Sequence, residues 1–417
     1  MANQTIHAVG LDIGTSKVRC VIGELGEQGL MEIVGKGESD SRGLRRGVVT
    51  KTDAVIESVK KAVEDAERMS GLEVQLVTIN LSGEHLRGEN KNGVVAVAGA
   101  GREITADDVE RAIESASAMQ LPAGWEIVDK LPQEYIVDGQ DGITEPIGMR
   151  GARLESKVHV VISPGAGRQN AIKAVHRAGL EVEFMMLEQL AAAESSLTED
   201  DKEYGSALIN IGAEITGLVI YHRGAVQHTA VFPFGGAHFT KDIAVGLRAS
   251  IPDAEKIKRD YGCVAGFKLS EHEKEEGIEI TPVGREQVRQ LSRQILCDML
   301  QPRAEELLQH IADEVKRSFA ARQLSSGVIL TGGGAQIRGL VEIAEQIFDA
   351  PTRLGYPERD RFGGLIEDLQ SPSWTVASGL ALVSMRTQMA ENQSTRTGKS
   401  SNGKIFNWWE SIKQRFG

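Results

Sequence analysis

The chain repeats one local pattern about 200 residues apart, and that repetition constrains its fold more than any other feature. The first copy is an apolar strand (His7–Leu11), a turn of short residues (Asp12-Ile-Gly-Thr-Ser-Lys17) and a returning strand (Val18–Glu24). The second runs Ala207–Ile211, turns at Gly212 and returns through Leu218–Tyr221. Such a recurrence predicts an internal duplication, two related lobes each opened by a glycine-turned hairpin. With 417 residues the chain can fill two or more cores.

Between and after the hairpins the apolar spacing alternates between helix and strand. A helix is predicted over Thr52–Met69, with Val55, Val59, Val63 and Ala66 on one face and Gly71 beyond its end. Strands Val74–Leu81 and Val94–Ala98 follow, then a helix after Thr105, whose capping partner is Asp108. Strands Trp125–Asp129, Tyr135–Asp138 and Lys157–Ile162 lead to helix Arg168–Ala178, strand Val182–Met186 and helix Glu188–Leu197. After the second hairpin come helices Lys241–Leu247 and Asp253–Tyr261, and a long helical stretch, Arg285–Phe319, with a break expected at Pro302. Strand Val328–Thr331, the turn Gly332-Gly333-Gly334, helix Ile337–Phe348 and a last body helix, Trp374–Met385, complete the pass. Residues 388–403 are poor in apolar groups and read as a flexible tether.

A net charge of −12 argues against nucleic acid, which needs a basic footprint. The charge is uneven: residues 388–417 carry +3 and the body −15, so the tail is expected to have its own partner. Residues 1–7 lack the basic start and apolar core of a signal peptide, and no apolar run approaches the roughly 20 residues that span a bilayer. Cys20, Cys263 and Cys297 have no metal-ligand spacing and read as buried thiols in a reducing compartment.

The tail carries the sharpest physical signal. Wound as a helix, residues 404–417 bring Ile405, Trp408, Trp409, Ile412 and Phe416 within an arc of about 100°. Phe406 lies at its edge, and Lys404, Lys413 and Arg415 flank it where their heads reach lipid phosphates. Burying five large side chains at ~1.5–3 kcal/mol each is a gross gain on the order of 10 kcal/mol. Ordering a short helix takes back much of that, leaving a reversible membrane anchor. Docking of the same helix onto a protein groove is the competing reading.

In the first turn, Gly14, Thr15 and Ser16 let backbone N–H groups face an anion, Lys17 adds charge, and Asp12 is placed to hold a magnesium ion through water. Gly332, Gly333 and Gly334 follow an apolar strand and precede a helix, where a ligand can approach the backbone. Each turn alone serves equally as a plain structural turn. In order, though, the first hairpin, the Ala-rich helix Glu188-Gln-Leu-Ala-Ala-Ala193, the second hairpin, the triple glycine and the Trp374–Leu382 helix resemble the five nucleotide-pocket segments of the actin superfamily. The phrases Val9-Gly-Leu-Asp-Ile-Gly-Thr-Ser-Lys17, Ser195-Ser-Leu-Thr-Glu-Asp200 and Asp253-Ala-Glu-Lys-Ile-Lys258 resemble the FtsA family of bacterial cell-division proteins.

That resemblance implies an α/β, actin-like (ribonuclease H-like) two-lobe ATPase fold with an FtsA-type inserted subdomain and a C-terminal amphipathic helix. It assigns residues 1–83 and 163–197 to the first lobe and 84–162 to the insertion. The second lobe takes 198–234 and 301–373, with its small subdomain at 235–300. A closing helix (374–387), a linker (388–403) and the membrane helix (404–417) follow. It further implies ATP and magnesium as ligands, self-assembly into filaments, lipid binding, the FtsZ C-terminal tail and later division proteins as partners, and a place at the cytoplasmic face of the membrane at the division site. Glu188 falls where a water-polarising residue belongs. Glu255 and Lys258 fall where sugar and base are met, or form a plain i,i+3 pair.

The second hairpin departs from the family's Asp-x-Gly-Gly-Gly-Thr. It reads Asn210-Ile-Gly212-Ala-Glu-Ile-Thr216, with an amide where a carboxylate helps order magnesium-bound water. If Glu214 points inward, a like-charge contact at ~4 Å costs on the order of 4 kcal/mol at an effective dielectric near 20; the alternative is that it faces solvent. Weak nucleotide binding and feeble or absent hydrolysis are therefore expected. Arg285, Arg289 and Arg293 recur every fourth residue and read as a basic stripe for an acidic FtsZ tail, or as solvated helix charge. Two alternatives carry less of the pattern. A PilM-like pilus adaptor should lack the Trp-Trp tail, and a sugar-kinase-like phosphotransferase needs an intact second hairpin.

Overall fold

The computed structural model describes residues 6–26, 29–97, 99, 102–283, 288–319 and 324–397, the side chains of 393–397 excepted. Arg285 and the membrane helix expected over 404–417, with Ile405 to Phe416, lie outside those residues.

The first lobe begins with an antiparallel meander, β1 (His7–Ile13), β2 (Lys17–Leu25) and β3 (Met31–Asp40). A small hairpin, β4 (Leu44–Arg45) and β5 (Val48–Val49), leads into α1 (Thr52–Ser70). Helix α1 buries Val55, Val59, Ala62, Val63 and Ala66 against the sheet and ends at Gly71, whose φ of 73° closes the last turn onto the Glu67 carbonyl. Strand β6 (Leu76–Leu81) then pairs parallel to β1.

The insertion is a layer of its own: β7 (Arg87–Ala96), α2 (Ala106–Ser117), β8 (Trp125–Val137), β9 (Gln140–Ile143) and β10 (Arg153–Pro164). Its sheet runs β7-β10-β8-β9, and α2 lays Val109, Ala112 and Ile113 on it. Thr105 and Asp108 form the capping box that the spacing predicts. The two strands expected at 125–129 and 135–138 are one strand. Its register against β10 slips between Lys157 and Val158, so the chain passes Pro132 by bulging at Gln133 instead of stopping.

The chain returns to the first lobe through α3 (Gly165–Arg177), β11 (Glu181–Leu187) and α4 (Glu188–Ser196). After α5 (Glu199–Tyr204) the second lobe repeats the meander as β12 (Ser206–Ile211), β13 (Thr216–His222) and β14 (Ala225–Phe232). Its small subdomain contains α6 (Gly236–Leu247), α7 (Ile251–Tyr261), α8 (Glu271–Glu275), β15 (Gly277–Ile280) and β16 (Arg289–Ser292). Then come α9 (Arg293–Ser318), β17 (Gly327–Thr331), α10 (Leu340–Phe348), β18 (Thr352–Leu354), β19 (Phe362–Gly364) and α11 (Thr375–Thr397).

Among the described residues the two large sheets run β11-β6-β1-β2-β3-β19 and β18-β17-β12-β13-β14. Each is an antiparallel meander extended beyond its first strand by two parallel strands in succession. The duplication read from the hairpins is thus a duplication of topology.

Three expectations give way. Helix α9 is continuous through Pro302, because its buried stripe (Leu296, Leu300, Ala304, Leu307, Leu308, Ile311) outweighs a proline penalty of about 3 kcal/mol. There is no basic helical stripe: Arg289 lies on strand β16, and Arg293 starts α9 with its guanidinium on Glu276 (2.9 Å) and the Tyr261 carbonyl (3.0 Å). Finally, residues 388–397 are not a tether. They prolong α11, held by Met389 on the core and by Gln388, which donates to the His7 carbonyl at 3.1 Å.

Helix α11, which follows the second lobe, crosses α4 and β1 of the first. A Cβ on Gly379 would fall far inside contact with the Ala191 carbonyl oxygen, and one on Gly10 would do the same against Ala377. Gly379→Val should therefore cost about 3 kcal/mol or more, read as an earlier midpoint in urea unfolding. Gly167→Ala on α3, where an added Cβ meets nothing within 4 Å, should be neutral or stabilising.

Candidate nucleotide site

The two hairpin turns are built alike. Gly14 N–H donates to the Lys17 carbonyl at 3.1 Å, and Gly212 N–H to the Ile215 carbonyl at 2.9 Å. In both, a Cβ on the glycine would lie 2.9 Å from that same carbonyl oxygen, so only glycine fits.

Around the second turn the backbone is bare. Gly236 N–H donates to the Gly212 carbonyl (2.9 Å) and Ala237 N–H to the Ala213 carbonyl (2.8 Å), which seats the start of α6 on the turn. Gly332, at φ 85°, would carry a Cβ 2.5 Å from the Ile211 carbonyl oxygen, and Gly334 one 2.5 Å from the Ile211 side chain. Gly333 faces open space. These glycines form a backbone cradle at a helix N-terminus, a form suited to phosphate oxygens. The pair Gly235-Gly236 escaped the sequence reading, although two adjacent glycines before a helix are a visible signal. Lys258 sits at the rim, its ammonium on the Gly236 carbonyl (3.2 Å), Thr240 (3.0 Å) and Glu255 (2.6 Å). Glu255 and Lys258 are thus an i,i+3 pair and part of the cradle's edge at once. Thr216 is elsewhere: buried, with its hydroxyl on the Phe234 carbonyl at 2.7 Å, it holds the strand end.

Opposite the cradle, Asp12 ends β1 and Glu188 starts α4, and both are almost fully buried. Burial foremost, then the charge of Asp12, pushes the Glu188 carboxyl up to about 8, against hydrogen bonds with Ser82 and Asn210. Burial raises Asp12 to about 6, with Arg19 pulling the other way. Glu188 Oε1 and Gln189 Oε1 find no partner among the described residues. Two buried acids, an amide and unpaired oxygens suit a hydrated cation brought in by a polyphosphate: Asp12 and Glu188 would hold it through water, and the cation would supply the charge that neutralises both acids and phosphates.

The side chains of the rest of the first turn are engaged within the first lobe. Lys17 pairs with Glu38 (3.0 Å) and Asp40 (2.9 Å) on β3, which raises its pKa and leaves less charge for a ligand. The Ser16 carbonyl accepts from Ser41 N–H, and the Thr15 hydroxyl from Gly47 N–H at 3.3 Å. Glu214 points neither into the cradle nor to free solvent. Its carboxylate accepts from Arg46 N–H of the other lobe at 2.7 Å, and the Arg46 guanidinium binds Glu84 at 2.8 Å.

Comparison with known proteins shows the family. The family model "Cell division protein FtsA" matches residues 207–379, and that of the SHS2 domain inserted in FtsA matches 83–162. Cell division protein FtsA of Pseudomonas aeruginosa is 40% identical over 380 residues, 91% of this chain and 89% of its own. The chain belongs to the FtsA family. The FtsA of Escherichia coli K12 is 35% identical, with 89% of each chain covered. This FtsA relative is an actin-like cell-division protein, and its fold is shared by solved structures. A PilM-PilN type IV pilus biogenesis complex superposes with a TM-score of 0.66 at 20% identity, covering 91% of this chain and 99% of that one. MreB 5 of Spiroplasma citri bound to AMPPNP gives 0.57 at 15% identity, covering 95% and 100%.

The buried acids set a pH dependence. A carboxyl whose folded pKa is raised keeps its proton in the fold, so between about pH 4 and 8 these two groups hold more protons in the nucleotide-free fold than in the unfolded chain, and their contribution to stability falls as pH rises. Glu188→Gln and Asp12→Asn remove that slope. Each variant should lose ~2 °C less in melting temperature than the parent between pH 5 and pH 8, while titration calorimetry shows weaker Mg·ATP binding.

Proposed function

We propose that this protein tethers the FtsZ ring to the cytoplasmic face of the membrane at the division site, assembling with further copies of itself into filaments and recruiting later division proteins, with ATP and magnesium in the cleft between its lobes. The observation that carries the reading is the pairing of the buried Asp12–Glu188–Asn210 group with the glycine cradle, in a chain that matches FtsA proteins along nine-tenths of its length.

The membrane contact rests on the sequence of residues 404–417 and their basic flanks. Among the described residues no helix is long and apolar enough to cross a bilayer, which is compatible with a peripheral anchor. The reading of the FtsZ contact shifts from arginines to apolar groups. Val245, Ile251, Phe267, Val283, Val288 and Ile295 are all exposed on or beside the small subdomain of the second lobe. Val283 N–H donates to the Arg248 carbonyl at 2.8 Å, so Val283 lies beside the end of α6 that carries Val245. Exposed apolar side chains on one subdomain fit a short amphipathic tail.

One reconstitution tests the whole. The full chain should co-sediment with anionic liposomes and bring a labelled FtsZ tail peptide with it. A chain ending at Gly403 should lose the liposomes and keep the peptide, and Val283→Asp should lose the peptide alone. A full chain that fails to sediment would overturn the anchor.

Turnover is expected to be slow. Asn210 supplies no carboxylate to the cation, where the family's second hairpin has an aspartate. Asn210→Asp should raise phosphate release from Mg·ATP several-fold; brisk release by the parent chain would refute this account.

A further inference from the structure

The tip of the β4–β5 hairpin and the turn after β12 face each other from opposite lobes, and each is fixed by its own lobe. At the base of the hairpin the Gly43 carbonyl accepts from Thr50 N–H (2.7 Å) and Lys51 N–H (3.0 Å). At its tip Gly47 N–H donates to the Thr15 hydroxyl at 3.3 Å, and Gly47 sits so close to Gly83 that a Cβ on it would lie 2.9 Å from the Gly83 nitrogen. The opposing turn is held by α6, whose Gly236 and Ala237 donate to the Gly212 and Ala213 carbonyls. Glu214 joins the two, its Oε2 accepting from Arg46 N–H at 2.7 Å.

The donor in this contact is main chain. The Arg46 guanidinium is turned onto Glu84 of its own lobe, at 2.8 Å, and the φ of 49° at Arg46 sets the direction of its N–H. On the first-lobe side there is thus no rotamer to adjust, and only the Glu214 side chain can give. An N–H···O bond is lost beyond ~3.5 Å, so a modest separation of the turns must stretch or break this one. Elsewhere the lobes share an apolar cluster that contains Leu190, Val219 and Ile329, with Leu131 of the insertion and Val226 of β14. That packed end behaves as a pivot, whereas the Arg46–Glu214 contact is open to water and free to break and re-form.

We propose that the Arg46–Glu214 bond is a strap that holds the phosphate end of the cleft closed and slows both the entry and the exit of nucleotide. The proposal rests on the reading that nucleotide occupies this cleft. It gives Glu214 a role opposite in sign to electrostatic repulsion. A carboxylate that merely repels phosphates speeds their departure, so its removal slows release and tightens binding. A strap that must open in both directions lowers both rates and leaves affinity nearly unchanged.

The test uses the full chain and two measurements. The first is protection of the amide hydrogen at position 46 against exchange, followed by NMR without nucleotide. Glu214→Gly should lower that protection about tenfold, the loss expected for one charge-assisted hydrogen bond. Arg46→Asn keeps the N–H in a residue that tolerates positive φ and should retain the protection. The second is stopped-flow uptake and release of mant-ATP with magnesium. Glu214→Gly should raise both rates about tenfold and change affinity by less than about threefold, with Glu214→Gln, a neutral acceptor, in between. Arg46→Asn should match the parent. Slower release from Glu214→Gly, unchanged rates in it, equal acceleration by Arg46→Asn, or an amide at position 46 as open in the parent as in Glu214→Gly would each overturn the strap. If mant-ATP does not bind the parent, the proposed occupant of the cleft fails, and amide exchange decides the strap by itself.

Discussion

The close crossing of α11 over α4 and β1 is the contact on which the rest of the molecule depends. At that crossing Gly379 and Gly10 let backbone meet backbone, so α11 is seated on the first lobe by main chain with no adaptable side chain between. Around it the alanines of α4 and the Val376, Leu380 and Val383 face of α11 join strands of both lobes in one apolar cluster. A buried charge network adds direction. Glu194 of α4 takes Arg386 of α11 (2.7 Å) and Lys202 of α5 (3.0 Å), and this pairing offsets burial and holds its pKa at about 2. The start of α4 therefore has little freedom, and Glu188 stands at that start. The buried acid pair is a consequence of where two helices can cross.

From this crossing the cleft can be derived in steps. β1 ends at Asp12 and Ile13 because its strand must turn at Gly14, and β12 ends at Asn210 and Ile211 because its strand must turn at Gly212. The duplicated topology brings both ends to the same edge of their sheets, where open α/β sheets leave their ligand crevice. One end carries a carboxylate and the other an amide. Burial, and for Glu188 also the charge of Asp12, already raises the proton affinity of the two acids, whereas a third carboxylate would add repulsion until a cation arrived. The substitution at position 210 thus lowers the cost of the empty cleft and weakens its hold on a metal at the same time.

What was legible in the sequence follows from the range of the forces involved. Both hairpins, the capping box at Thr105, the Gly71 stop and the triple glycine are local signals, each set by neighbours within about five residues. The misread features depend on partners far along the chain. The bulge at Gln133 is useful because its side chain reaches the Val226 carbonyl of the second lobe at 2.9 Å. Pro302 is tolerated because α9 is pressed into a core assembled from the whole second lobe. Lys17 is absorbed by β3 carboxylates 21 and 23 residues on, and α11 continues past Thr387 because His7, at the opposite end of the chain, receives Gln388. None of these can be seen by periodicity in a short window. The arginines at 289 and 293 failed for a related reason: a four-residue spacing implies one face only if the segment is helical throughout, and a strand intervenes.

The side chain at 214 shows how a departure from a motif can acquire another use. The tip of the β4–β5 hairpin has two consecutive positive φ angles, 49° at Arg46 and 77° at Gly47, the form that matches the twist of a tight two-residue hairpin. For arginine that conformation costs about 1–2 kcal/mol. It turns two N–H groups outward, one to Thr15 in the first phosphate-type turn and one to Glu214 in the second. A bond from N–H to carboxylate is charge-assisted and about twice as strong as a neutral one, enough to offset the strain. A glycine at 214 offers no such acceptor. The carboxylate that reads as an obstacle to phosphate is drawn sideways across the cleft, where it joins the second lobe to a hairpin of the first. The two turns that would hold a nucleotide are thereby linked through a single hairpin tip, and any movement that opens the cleft must break or carry that link.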